Sequence, residues 1–233
     1  MKRFLLLASI VLTLGVVALL CYNHFVYYDA FFFLKGEVTI EKIVCEGDLD
    51  NDGIYDMDDI VQGARLEIFN HTKYQSTYYE DGGYPPQDEG VCTDVIWRAL
   101  KNAGYDLKSN MDKDISNNTK DYTWGVVIPD PNIDFRRVKN QSVFFEKFAA
   151  SLTIEVKPYN KKNLFKWQAG DIVVLKNSEH VAIISDKRRK DGVPYVLHNA
   201  STYAMEENLL LKWSRAGRII GHYRFPIPEN LIE

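Results

Sequence analysis

The feature that most constrains this chain is an uncharged apolar segment at its start. The 19 residues from Phe4 to Tyr22 contain no charged side chain. As a helix with a rise of about 1.5 Å per residue, the segment covers about 28 Å, close to the hydrocarbon thickness of a bilayer. We therefore expect residues 1–28 to form a transmembrane signal-anchor, which makes the membrane a partner of the chain.

The flanking residues predict the orientation of this segment. Lys2 and Arg3 precede it, which places the N-terminus on the cytoplasmic side and everything after about residue 25 outside. Side chains typical of a membrane interface lie at its end: Tyr22, His24, Phe25, Tyr27 and Tyr28. A cleaved secretion signal is the alternative and gives the same compartment. Lipidation of Cys21 is disfavoured because the bulky Leu20 precedes it.

The rest of the chain has an ordinary globular composition. The 233 residues are 46% hydrophobic and 26% charged, which excludes a disordered scaffold. Roughly 200 residues follow the apolar segment, enough for one domain with its own core. Beyond Lys2 and Arg3, 26 basic and 32 acidic residues leave a balance of −6. No nucleic-acid partner is therefore expected.

Hydrophobic periodicity predicts helices in the first half of the domain and strands in the second. Helices are expected over 60–69, 90–104 and 143–152, and residues 105–140 are predicted to be mostly loop with one short helix. Strands are expected over 154–157, 171–175, 181–185, 195–198 and 219–225. This order indicates an α+β domain. The predicted divisions are a linker and strand at 29–47, an acidic loop at 48–59, the main domain at 57–226 and a tail at 227–233.

The acidic loop has the spacing of an EF-hand calcium site. Loop positions 1, 3, 5, 9 and 12 carry carboxylates, which belong to Asp48, Asp50, Asp52, Asp56 and Asp59. Gly53 permits the sharp turn and the carbonyl of Ile54 completes the oxygen set. Because Asp replaces Glu at position 12, we expect weak binding of a structural calcium ion, and no organic cofactor. The alternative is a solvated acidic turn whose Asp residues stabilise the start of the next helix.

A cysteine at a predicted helix start and two histidines on predicted strands form the candidate catalytic set. Cys92 follows a Gly/Pro-rich loop, and the N-terminal end of its helix is expected to lower its pKa. His180 at the start of one strand supplies a candidate base, and His198 or Asn199 at the end of the next supplies a third polar group. In an antiparallel strand pair, the numbers of facing residues have a constant sum. His198 faces His180 if this sum is 378, and Asn199 faces His180 if it is 379.

Each of these residues also has a structural explanation. Cys92 is consistent with a small buried hydrophobe, and His180 and His198 with ordinary strand-end residues. Cys45 raises the question of a disulfide with Cys92, which would abolish catalysis. The functional interpretation therefore depends on the order of the whole set along the chain.

This order resembles the NlpC-type branch of the papain-like cysteine peptidases, in which the cysteine begins a helix and the histidine strand follows a Gly-Asp strand. It resembles more closely an uncharacterised bacterial family, domain of unknown function 1287, over roughly residues 57–226. Six segments carry this resemblance, at 90–95, 133–140, 167–173, 180–183, 198–199 and 221–224. The chain departs from the family at Phe135, where the family commonly has His, and in the added acidic loop.

The resemblance implies a papain-like fold, with N-terminal helices packed on a C-terminal antiparallel sheet. It implies that Cys92 is the nucleophile, that His180 is the base and that His198 orients His180. A thiolate–imidazolium pair would then attack an amide carbonyl and form an acyl-enzyme. The Cys92 N–H and Tyr84 are candidates for the oxyanion site.

Three further residues are candidates for substrate binding. Arg136 and Arg137 carry guanidinium groups that can bind a substrate carboxylate through two hydrogen bonds. Asp94 lies one turn into the cysteine helix, where it can also pair with Arg98, and it is expected to be either a structural or a substrate-binding residue. A structural Asp–Arg network that includes Asp134 is an equally weighted alternative.

Together these features predict a membrane-tethered extracytoplasmic cysteine hydrolase that cleaves amide bonds. The outward location makes cell-wall peptides or peptidoglycan the expected substrate, by analogy with NlpC-type enzymes. A non-catalytic, calcium-stabilised wall-binding or interaction domain is the alternative from another class. Acyl transfer to a lipid or amine by the same Cys–His pair is a third hypothesis.

Overall fold

The chain begins with a long helix that precedes the mixed α+β domain. The computed structural model describes residues 2–27, 34–122, 128–176 and 180–227. Helix α1 spans Lys2–Tyr27. Within these ranges no helix has both the length and the apolar character needed to cross a membrane, so the transmembrane helix expected for residues 1–28 is not among the described elements. The predicted tail lies outside the described residues except for residue 227.

The larger helices of the domain precede its main sheet in sequence. They are α2 at Asp56–Phe69, α3 at Cys92–Asn102, α4 at Leu107–Asn117 and α5 at Val138–Phe148. Short 3-10 helices at Thr119–Tyr122 and Asp134–Arg136 lie between α4 and α5. Two short helices lie among the strands, α6 at Lys161–Leu164 and α7 at Leu210–Arg215. The predicted helices at 60–69 and 90–104 are confirmed as α2 and α3, whereas α5 begins and ends earlier than predicted.

The main sheet is antiparallel throughout, in the order β3-β8-β4-β5-β6-β7. Its strands are β3 at Ala150–Ser151, β4 at Ile172–Leu175, β5 at Val181–Arg188, β6 at Pro194–Asn199, β7 at Ala204–Glu207 and β8 at Ile219–Arg224. A separate parallel pair joins β1 at Lys73–Tyr74 to β2 at Glu89–Gly90, directly before the cysteine helix. The α+β class with an antiparallel C-terminal sheet is therefore confirmed.

The predicted strand at 154–157 is wrong, because other partners take up its backbone groups. At 154–157, side chains of the α6 region replace a neighbouring strand: Asn163 accepts from Lys157 N–H, and Asn163 and Trp167 both donate to the carbonyl of Glu155. Of the predicted 29–47 linker and strand, residues 29–33 lie outside the described residues, and residues 34–47 contain no strand. The Ile43 N–H donates to the side chain of Gln168 instead.

Alternate side chains of β5 enter two separate cores, as the period of two in a strand requires. Val181 and Ile183 pack with α2 and α3 in one core, which includes Cys92. Ala182 and Ile184 pack in the other core with Trp213 of α7. The sheet is therefore covered on both faces, and the start of α3 lies against the face that bears Val181.

The Gly-Asp segment before β4 is part of the framework of the domain. Gly170 has φ +86°, and a Cβ there would lie 2.9 Å from the carbonyl oxygen of Met57, so only glycine fits without strain. Asp171 is fully buried and accepts hydrogen bonds from Arg224 at 2.6 Å and from His222 at 3.0 Å. Burial of this network gives the segment a structural role.

Candidate active site

Cys92 is the first residue of α3 and contacts the start of β5. Burial raises the pKa of Cys92 to about 11, although the backbone N–H groups of Val181 and Thr93 point at the sulfur and act to lower the pKa. The charge of Asp94 raises the pKa further. The side chain is only 5% exposed. The net shift is therefore opposite to the predicted one, because burial outweighs the lowering by the N–H groups at the helix start, and a pKa of about 11 favours the neutral thiol.

His180 and His198 are joined through their rings, with His180 Nε2 at 2.9 Å from His198 Nδ1. Neither expected register is correct, because Ile183 pairs with Leu197 and the paired numbers sum to 380. The two histidines are diagonal neighbours, and long side chains can bridge that spacing. The structure thus brings His198 to His180 in a register that the sequence pattern did not predict.

Asn199, the alternative third residue, faces the cysteine loop instead of His180. Its side-chain amide donates to the carbonyls of Thr72 at 3.2 Å and Gly90 at 3.1 Å. It is fully buried, and its Oδ1 atom has no hydrogen-bond partner among the described residues. Asn199 therefore holds the segment that leads into Cys92.

Glu207 extends the histidine pair into a chain of three residues. His198 Nε2 lies 3.0 Å from Glu207 Oε2, and the Trp213 ring lies edge-on to both histidines, with ring centroids 5.7 Å from His180 and 5.5 Å from His198. Burial lowers the pKa of His180 to about 3, and also lowers that of His198 despite the opposing charge of Glu207. The sequence analysis missed Glu207 because it did not predict β7.

The carboxylate at the end of this chain determines which ring nitrogens carry protons. An ionised carboxylate only accepts hydrogen bonds, so His198 donates from Nε2 to Glu207. Neutral His198 then accepts at Nδ1, and His180 must donate from Nε2. This leaves the unprotonated Nδ1 of His180 as its basic nitrogen.

Cys92 and His180 are neighbours through Val181, whose N–H points at the sulfur. In the described part of the chain, no hydrogen bond joins the Cys92 sulfur to the His180 ring directly. Catalytic hydrogen bonds often tighten only when substrate binds. The His180 ring bonds instead to His198 and lies edge-on to Trp213, so the contact that the structure shows between Cys92 and this segment is the one with the Val181 N–H.

Asp94 and Arg136 bind each other, which agrees with the structural alternative for these two residues rather than with a role in substrate binding. Arg136 donates from Nε and Nη2 to the two carboxylate oxygens of Asp94, at 2.8 and 2.9 Å. Asp94 also accepts from the Trp97 ring and from the N–H of Val91. Both charged residues are buried. The two hydrogen bonds expected for a substrate carboxylate are made to the protein's own aspartate.

The two other arginines of this region also have partners within the protein. Arg98 pairs with Glu67 at 2.6 Å rather than with Asp94, and donates to the carbonyls of Pro86 and Glu89. It thereby fixes the loop that precedes Cys92. Arg137 pairs with Asp134 at 3.3 Å and remains 41% exposed, so Arg137 is the substrate-binding candidate that retains access to solvent.

Tyr84, the predicted oxyanion candidate, packs through its ring in the aromatic cluster beside α3. Its ring packs on Trp97 and Phe135, with centroid distances of 5.1 and 5.5 Å. Burial raises its pKa, with a further contribution from the charges of Asp106, which precedes α4, and Asp112, which lies within it. Tyr74 lies near Cys92 in the fold, and after burial the charges of Cys92 and Asp94 contribute to its raised pKa. Its pairing with Gly90 in the β1–β2 ladder places it there.

The remaining predicted residues lie in the acidic loop and among the cysteines. Carboxylate oxygens of Asp48, Asp50 and Asp52 come within 4.8 Å of one another. Asp56 does not belong to this group and is hydrogen-bonded to Tyr105 and to the N–H of Leu49. Cys21, Cys45 and Cys92 are all free, so Cys45 and Cys92 form no disulfide.

The site thus belongs to an α+β domain with a helix-start cysteine next to a His–His–Glu chain. Residues 61–225 match the family described as Domain of unknown function (DUF1287), and the chain belongs to this family. It is 36% identical over 174 residues to the Uncharacterized protein YijF of Escherichia coli (strain K12). The aligned region covers 71% of this chain and 80% of that protein. No solved structure matches the chain.

Proposed function

We propose that this chain is a cysteine hydrolase that cleaves amide bonds. The observation that carries the proposal is the hydrogen-bonded chain from Glu207 through His198 to His180. This chain leaves Nδ1 of His180 as a basic nitrogen. His180 directly precedes Val181, whose N–H contacts Cys92. The resemblance of this ordered set to NlpC-type peptidases supports the same reaction class. Fold-level likeness alone would not, since one fold hosts many activities.

The proposed reaction starts from a neutral pair rather than from a thiolate–imidazolium pair. As the sulfur of Cys92 attacks the amide carbonyl, its proton passes to Nδ1 of His180 and a C–S bond forms. The N–H groups at the start of α3 stabilise the oxyanion. His180 then gives the proton to the leaving amine, and water hydrolyses the thioester and restores the thiol. Glu207 stabilises the positive charge that His180 carries between these steps, through His198.

We propose cell-wall peptides as the substrate class. The basic residues Lys2 and Arg3 followed by the apolar segment are typical of a signal or anchor that directs a domain out of the cytoplasm. There, the abundant amide substrates of a bacterium are the peptides of its wall. The N-terminal segment would either tether the domain or be removed after export.

A non-catalytic binding domain is the second candidate. Cys92 is only 5% exposed and its pKa is raised to about 11, which also fits a buried structural cysteine. In that case the histidine chain would serve packing alone, and substitution of Cys92 would have no effect on wall peptides.

Mass spectrometry of muropeptides separates the two candidates. Muropeptides are incubated with the full-length chain, with Cys92→Ala, and with Cys45→Ala as a matched control, because Cys45 is also buried and free. We expect new cleavage products with wild type and Cys45→Ala and none with Cys92→Ala. Products that persist with Cys92→Ala, or their absence with wild type, would contradict hydrolysis by Cys92.

A further inference from the structure

The acidic loop gathers oxygen atoms at the spacing of a single cation. The carboxylate oxygens of Asp48, Asp50 and Asp52 lie within 4.8 Å of one another. Two oxygens that bind one calcium ion at 2.3–2.6 Å can be at most about 5 Å apart. Asp50 and Asp52 are exposed, so an ion can enter from solvent. An exposed acidic cluster alone does not define a metal site, and the decisive observation concerns a fourth carboxylate.

Asp59, in the first turn of α2, carries a buried oxygen without a partner. The residue is 2% exposed, and its Oδ2 atom accepts no hydrogen bond within the described residues. Asp56, in the same turn of α2, binds the N–H of Leu49 within the loop, and this bond holds the first turn of α2, with Asp59, against the loop. Asp59 is not one of the three residues whose oxygens lie within 4.8 Å of one another. A buried, unpartnered carboxylate oxygen is unfavourable, and more so next to like charges. A divalent cation would satisfy Oδ2 and remove the repulsion together.

Asp56 has a different role, and we do not count it among the proposed calcium ligands. Its Oδ1 accepts the N–H of Leu49 at 2.8 Å and its Oδ2 accepts the hydroxyl of Tyr105 at 2.7 Å. Both oxygens therefore fasten the loop to the domain. The residue at loop position 9, predicted to be a ligand, therefore has a structural role. Asp48 also accepts hydrogen bonds, from the N–H groups of Asp52 and Gly53 at 3.1 and 3.0 Å, but those bonds lie within the loop, and Asp48 belongs to the group of converging carboxylates.

We propose that Asp48, Asp50, Asp52 and Asp59 bind one calcium ion, with the Ile54 carbonyl expected to complete the set. Carboxylate and carbonyl oxygens in a flexible loop suit calcium better than magnesium, which requires a stricter octahedral geometry. The ion would join the loop to α2. It would also support α3, because Asn102 at the end of α3 donates to the carbonyl of Asp59 at 3.0 Å. The site is independent of the chemistry proposed for Cys92.

Calorimetry and thermal unfolding of the full-length chain test this proposal. A mild detergent is needed because α1 exposes apolar side chains such as Val11 and Leu12. After chelator treatment, calcium chloride is expected to bind with one-to-one stoichiometry and to raise the melting temperature by about 5 °C or more at saturation. No heat and no shift at millimolar calcium would overturn the proposal. An equal shift with magnesium would overturn the assignment to calcium.

Three variants identify the ligands. Asp59→Asn should melt at a higher temperature than wild type without calcium, because a buried charge is removed, and should lose the increase caused by calcium. Asp50→Asn, at an exposed ligand, should lose that increase even if Asp59→Asn does not fold. Glu46→Gln removes an exposed charge two residues before the loop and should keep the full increase. An equal loss in Glu46→Gln and Asp50→Asn would indicate diffuse charge screening and overturn the site.

Discussion

The Nε2 atom of His180 lies 2.9 Å from Nδ1 of His198, although the two residues are not opposite each other in the β5–β6 ladder. Extrapolation of the pairing of Ile183 with Leu197 sets position 180 against position 200. The rings therefore meet across a diagonal, where Cα atoms are about 7–8 Å apart and long side chains still touch. Glu207 binds the far side of His198, so the orientation of His180 depends on a residue of β7.

Glu207→Gln should disturb the proton positions of both histidines. A glutamine can donate as well as accept, so His198 is no longer forced to donate from Nε2. Nitrogen-15 NMR of the rings should show Nε2-protonated His180 and His198 in wild type and mixed tautomers in the variant. Hydrolysis of the muropeptide substrate should fall by about 10- to 100-fold in kcat/KM.

Glu206→Gln is the matched control for this substitution. Glu206 is the preceding residue of β7 and bonds to Arg65 and Ser185 instead of the histidines. Its variant should keep wild-type tautomers and kcat/KM, even if its melting temperature falls. Equal changes in the two variants would mean that β7 acts only through stability.

Asp94→Ala should be among the most destabilising substitutions in the domain. It leaves Arg136 buried without its carboxylate partner, and loss of one member of a buried pair costs about 3–5 kcal/mol. Arg137→Gln removes an arginine that is 41% exposed, and we expect less than about 1 kcal/mol. Urea unfolding measures both free energies. If the Asp94→Ala protein is as stable as wild type but binds substrate more weakly, the structural role of Asp94 is contradicted and its role in substrate recognition is supported.

Local patterns predicted helices and strands, whereas tertiary contacts determined the site. The periodicity of α2 and α3 was sufficient because an apolar face is encoded within each segment. The partner of Arg136 is 42 positions away, at Asp94, and no local pattern encodes such a pairing. The net pKa shift of Cys92 was predicted in the wrong direction because it too depends on a tertiary contact, the burial of the thiol. A helix start is visible in sequence, whereas burial by β5 is not.

Stability should fall in acid because of His180. Burial lowers its pKa from 6.5 to about 3, so between these values the unfolded chain binds a proton that the folded chain does not. The stabilisation is complete above pH 6.5 and is lost as the pH falls toward 3, by up to about 1.4 kcal/mol per pH unit. Urea unfolding at pH 7, 6 and 5 should show a smaller decline in His180→Gln than in wild type.

His71→Asn serves as the comparison for this pH dependence. His71 is exposed, and asparagine tolerates its φ of 51°. This variant should follow the wild-type decline between pH 7 and pH 5. If it flattens the decline as much as His180→Gln does, the acid sensitivity does not arise from the buried ring.

Cys92 should react slowly with alkylating reagents at neutral pH. Because burial raises its pKa to about 11, little thiolate is present near pH 8, and the thiolate is the reactive form. Peptide mass spectrometry of iodoacetamide-treated protein should show at least about 100-fold slower labelling of Cys92 in the native chain than in the urea-unfolded chain. The native rate should keep rising up to pH 10. A rate that reaches its plateau below pH 8 would instead demonstrate a resting thiolate–imidazolium pair with His180 and contradict the neutral starting state.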